Sequence, residues 1–132
     1  MHHKYLICLI GLLLLSACGG DAVDKKLPII TKLEDGRYEV MSAKRNGKET
    51  GTLSKAFYEV RNDSVFTNLT KNLDLIATTF ELRNNNISHK NENALNFVVS
   101  KMTSDSLELN TELQGFTFEI YLSKAKNNIN EN

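Results

Sequence analysis

The chain has 132 residues, 41% of them hydrophobic, and carries 16 lysines and arginines against 16 aspartates and glutamates. That length suits a single domain with a modest core. Balanced and scattered charge gives no electrostatic footprint for nucleic acid, whose phosphates demand a basic face.

The first element is a leader. Lys4 precedes an apolar run from Tyr5 to Leu15, and Leu15-Ser16-Ala17-Cys18 sets a cysteine just past small residues. This is the layout of a short secretory signal, and the run is too short to span a bilayer, which needs about 20 residues. Next comes a flexible spacer that turns apolar at Leu27-Pro28-Ile29-Ile30. Pro28 has no backbone donor, so this stretch is expected to cross one end of the domain as a plug and not to be a central strand.

From Gly36 onward the chain alternates with period two and is broken at short intervals by turn residues, an all-β signature. Tyr38 and Val40 share one face of the segment from Gly36 to Arg45. Asn46 to Leu53 is a longer loop with two glycines. Ala56, Tyr58 and Val60 line the next strand, and Asn62-Asp63-Ser64 turns into Val65–Leu69. Ile76, Thr78, Phe80 and Leu82 form a further face that ends at Asn84-Asn85-Asn86. Asparagine tolerates positive φ, so this triplet suits a hairpin. Ile87 to Lys90 returns, Leu95, Phe97 and Val99 follow, and Thr103-Ser104-Asp105 turns again. Leu107, Leu109, Thr111 and Leu113 alternate with polar residues. After Gln114-Gly115, so do Phe116, Phe118, Ile120 and Leu122. About eight strands joined by tight hairpins predict an antiparallel up-and-down meander that closes into a small β-barrel and so hides its edges.

The Leu-Ser-Ala-Cys ending resembles the lipobox of bacterial lipoproteins. The resemblance implies cleavage between Ala17 and Cys18, a diacylglycerol on the Cys18 sulfur and an acylated new amino group. Gly19 follows, with no aspartate there, which by the same resemblance favours the outer membrane. Cys8 then leaves with the leader and Cys18 is consumed, so thiol catalysis, disulfides and cysteine metal ligands are excluded by counting. The domain plan is residues 1–17 signal peptide, 18–34 lipidated cysteine and tether, 35–124 barrel, and 125–132 disordered tail.

Gly36-Arg37-Tyr38 resembles the Gly-x-Trp opening of lipocalins, with Tyr for Trp. Residues 106–124 (SLELNTELQGFTFEIYLSK) resemble the closing hairpin of small lipocalin-like lipoproteins of Bacteroidota. The likeness covers roughly residues 33–124 and implies a calycin-like barrel. The C-terminal arginine that stacks on the first-strand aromatic in that family is missing. Asp63-Ser64-Val65 and Asp105-Ser106-Leu107 resemble the Asp-Ser/Thr-apolar acceptor for O-glycosylation in the same phylum, which would modify Ser64 and Ser106.

An eight-stranded barrel is wide enough to be filled by side chains or to hold one small ligand. Large inward side chains on short strands predict a mostly filled interior, with a shallow apolar pocket at one mouth. Such a pocket would draw on Tyr38, Val40, Tyr58, Phe80, Phe97, Phe116 and Phe118, edged by Ser42 and Thr111, with residues 46–53 as its lid. Phe57, Phe66 and Tyr121 fall on the outer face. His89, between Ser88 and Lys90, reads as a surface residue and has no partner for metal or acid–base chemistry. No nucleophile elbow or phosphate-cradling loop is present. The expectation is therefore a non-enzymatic protein without a cofactor, held at the membrane by its acylated Cys18. Its function would be to bind a small apolar molecule at the envelope. The alternative is a filled barrel that contacts an envelope protein or glycan through its surface.

Overall fold

The computed structural model describes residues 26–69, 77–90 and 95–126. The leader, Cys18, Ile76 and the end of the tail lie outside the described residues. Nine strands follow in chain order: β1 (Gly36–Arg45), β2 (Lys48–Glu49), β3 (Phe57–Arg61), β4 (Ser64–Thr67), β5 (Thr78–Arg83), β6 (Asn86–His89), β7 (Asn96–Met102), β8 (Ser106–Leu113) and β9 (Phe116–Lys124). Among the described residues there is no helix.

From β3 to β9 each strand pairs antiparallel with its successor, and β1 pairs with both β3 and β9. Eight strands thus close into a barrel, and β2 is a short flap on β1. The seam runs from Tyr38 opposite Lys124 to Arg45 opposite Phe118. Closure pairs the backbone groups that an open sheet would leave bare.

The hairpins are set by residues that accept positive φ. Asn84-Asn85 and Gln114-Gly115 both hold positive φ at two successive positions, as type I′ turns require. Asn46-Gly47 does the same. That pair corrects the expectation of a plain loop over residues 46–53: it folds β2 back onto β1, with Arg45 opposite Lys48.

Two bulges break the alternation. In β1 the register shifts between Val40 and Ser42, leaving Met41 out at 65% exposure. In β7 it shifts between Val99 and Lys101, at Ser100. A bulge bends its strand and increases the local twist, which helps a small sheet to close.

The inward faces form one core in which Tyr38, Tyr58, Phe97, Ile87, Leu107, Leu109 and Leu122 are the largest fully buried side chains. One end of this core is plugged as expected. Ile30 and Leu33 are buried in it. The Ile30 N–H donates to Asn85 Oδ1 (2.6 Å), and Asn85 Nδ2 donates to the Pro28 carbonyl (3.0 Å). Tyr38 donates its hydroxyl hydrogen bond to the Glu34 carbonyl at 3.0 Å. The backbone of residues 28–34 is thereby tied across the turn between β5 and β6.

Candidate functional site

Among the described residues, those expected to line a pocket differ in burial. Tyr38, Tyr58, Phe97 and Phe118 are buried in the core, while Val40 and Phe80 are partly buried against it. Phe116 is the correction: it is 41% exposed near the β8–β9 turn, with the Arg45 guanidinium 5.1 Å from its ring centre. Thr111 is buried and donates to the Asn96 carbonyl (2.7 Å), so its hydroxyl is already spent. A void wide enough for water leaves accessible area on its walls. Tyr58, Ile87, Val99, Leu109 and Leu122 show 0%, so the middle of the barrel is packed solid around them.

His89 also departs from expectation. It is 3% exposed and lies inside the barrel, in phase with Ile87 along β6. Its Nε2 is 2.9 Å from the Tyr58 hydroxyl, and the two rings stack at 5.8 Å. Phe97 packs against both. Burial holds the His89 pKa down at about 4, so the ring is neutral at pH 7. Burial likewise raises Tyr58, which stays protonated. The pair is a satisfied polar contact within an apolar core, the form in which buried polar groups are tolerated.

At the plugged end, Tyr38 is also pushed up, first by burial and then by the Glu34 and Asp35 carboxylates. Lys124 Nζ stands 5.8 Å from its ring centre. Gly36 lies just before, at φ +145°, where a Cβ would run into the Lys124 side chain. A cation therefore does meet the first-strand aromatic, supplied by a lysine.

Ser64 and Ser106 each open a strand at the plugged end and are half-buried. The Ser106 hydroxyl is 2.6 Å from that of Thr103. Of the outer aromatics, Tyr121 is 42% exposed. Phe57 keeps its outward position but is buried, with the Arg37 guanidinium 3.8 Å above its ring. Phe66 is half-buried under Arg61. Phe57→Ser is accordingly expected to cost about 2–3 kcal/mol, whereas Tyr121→Ser stays within about 0.5 kcal/mol of the parent. Urea midpoints of the two variants check this, and equal losses would overturn the assignment of cover to Arg37.

A concavity sits outside the barrel, on the wall formed by β1, β9, β8 and β7. It is a groove of about 560 Å³ with Ala43 and Ile120 at its floor. Strand register arranges its polar groups in two rows. One row runs Ser42, Tyr121, Glu108 across β1, β9 and β8. The next runs Glu49, Lys44, Glu119, Asn110 across β2, β1, β9 and β8. Neighbours within a row are one strand spacing apart, about 4.8 Å. Ser42, expected at a barrel mouth, belongs to this outer groove. The sequence places Tyr121, Glu108 and Glu119 on outer faces one by one but does not bring them together, because the groove exists only where separate strands meet.

No protein-family model, curated protein or solved structure matches this chain. What the fold defines is a small closed antiparallel β-barrel with a packed interior and a polar groove on its outer wall.

Proposed function

We propose that the protein is a lipid-anchored, lipocalin-like envelope module without enzymatic activity, and that it acts through its outer surface. The observation that carries this reading is the set of core side chains with no accessible area, which leaves a small apolar ligand no room in the middle of the barrel. Of the two functions expected from the sequence, this favours the filled interaction module over the cup. The Lys124–Tyr38 contact supports the lipocalin-like reading, since it stands where that family sets its C-terminal arginine. The anchor at Cys18 rests on the Leu15-Ser16-Ala17-Cys18 ending. It would tether the barrel at its plugged end, the end from which residues 26–35 arrive. Ser64 and Ser106 open strands at that same end, where O-linked glycans would stand close to the membrane.

One experiment tests the reading in two independent parts. The protein is purified from membranes in detergent, incubated with envelope lipid extract and weighed by native mass spectrometry. The expected mass is the chain from Cys18 with its acyl groups and any glycans, and no further adduct after incubation. Absence of the acyl mass overturns the anchor. A discrete added lipid mass overturns the filled module and restores the cup.

A further inference from the structure

We infer that the outer groove binds a saccharide, with Tyr121 as the stacking platform and Glu108, Glu119 and Asn110 as the groups that read its hydroxyls. The inference rests on the surface-contact reading above and names the partner's chemistry.

The first argument is unspent bonding capacity. Several surface carboxylates elsewhere on the barrel are engaged: Glu39 and Glu59 meet Arg37, Glu59 also meets Arg61, and Glu81 meets Arg83. Among the described residues, Glu49, Glu108, Glu119 and Lys44 form no ion pair. Among the described residues, neither the Asn110 amide nor the Tyr121 and Ser42 hydroxyls make a side-chain hydrogen bond. Glu108 and Asn110 are half-buried, so water reaches them less freely than it reaches an open sheet face. A concave wall of acceptors and donors that are not committed to one another, with half-buried Glu108 and Asn110 on β8 and exposed groups on β1, β2 and β9, suits a ligand that brings many hydroxyls.

The second argument is the layout. Tyr121 is 42% exposed, with Ser42 on one side and Glu108 on the other in strict register. A sugar ring laid on Tyr121 puts its C–H face on the aromatic ring and turns its hydroxyls outward to both flanks. The next row offers Glu119 and Asn110 to the following hydroxyls. A carboxylate accepts two hydroxyl hydrogens at once, and a primary amide both donates and accepts.

Other ligand classes fit less well. Three carboxylates, Glu49, Glu108 and Glu119, outnumber the cations beside them, Lys44 and, opposite Glu108 on β7, Lys101, so the groove does not favour an anion. The carboxylates do not converge into a chelating group of three among the described residues, so a metal ion is not what they frame. The seam strands β1 and β9 are paired on both sides, and the one free edge beside the groove belongs to β2, whose two residues are too short to seat an added peptide strand.

The test uses the full chain, isotope-labelled and held in detergent micelles. It is titrated by NMR with neutral oligosaccharides of glucose, mannose, galactose and N-acetylglucosamine, and separately with an oligolysine peptide. The expected result is saturable shifts at Glu108, Asn110, Glu119 and Tyr121 with at least one saccharide. Affinity should fall about ten-fold or more in Tyr121→Ala and in Glu108→Gln, and stay unchanged in Glu39→Gln outside the groove. Binding of oligolysine alone would overturn the proposal in favour of a basic peptide. No shift with any saccharide, or shifts elsewhere, would overturn it outright. The native mass measurement is untouched by any of these outcomes, so failure here and failure of the surface-contact reading are separable.

Discussion

Lowering the pH from 7 to 4 should destabilise the barrel by about 3 kcal/mol through His89 alone. The ring titrates near 6.5 in the unfolded chain and at about 4 when buried against Tyr58 and Phe97. Between those values the unfolded state binds a proton that the folded state refuses. Stability is therefore complete above pH 6.5 and drains as the pH falls towards 4. The effect is a large share of a small domain's total stability. It is measured as the urea midpoint at half-unit pH steps. His89→Gln keeps a hydrogen-bonding side chain near Tyr58 and removes the titration, so its profile should be flat between pH 6.5 and 5, above the range of ordinary carboxylates. An equally steep slope in the variant would mean that another group carries the pH dependence.

Asn85 is the second position where a single change should be felt widely. Its side chain holds the plug by two hydrogen bonds, and its backbone sits at φ +65° in the β5–β6 turn. Asn85→Gly keeps the turn and loses both plug bonds, a cost of about 2 kcal/mol. Asn85→Ala adds the strain of a left-handed residue that bears a Cβ, about 1 kcal/mol more. In both variants amide exchange across residues 28–34 should accelerate, while exchange in β8 and β9 stays slow. If the glycine variant exchanges in the plug at the parent rate, Asn85 is not what fastens it.

The barrel was legible because its strands alternate and its turns are marked by asparagine and glycine, two signals that agree from Gly36 to Lys124. The plug was legible because Pro28 denies an apolar stretch a place inside the sheet. What escaped was of three kinds. Asn46-Gly47 is a strong hairpin signal, but β2 is only two residues long and shows no alternation of its own. His89 lies in phase with Ile87, yet its chemistry suits core and surface equally, and only Tyr58, far away in sequence, decides between them. Arg37 covers Phe57 from the same strand as Glu39, and nothing in a linear pattern tells a covered aromatic from a bare one. The outer groove belongs to the same class: its rows join residues of β1, β8 and β9 that share no local motif. The bulges at Met41 and Ser100 shift the phase of β1 and β7, which is where period-two reading loses its register.

The seam between β1 and β9 has a kinetic consequence. The strand made first finds its closing partner last, since Tyr38 sits opposite Lys124. Such distant pairings are slow to form, because a long loop must be closed before any contact rewards it. Until residue 116 has been synthesised, one whole side of β1 is a bare edge that can pair with a neighbouring chain. The nascent protein is thus a ribbon that latches only at its final strand, and a chain that stops short of β9 should be handled by the cell as an aggregation hazard, not as a smaller barrel.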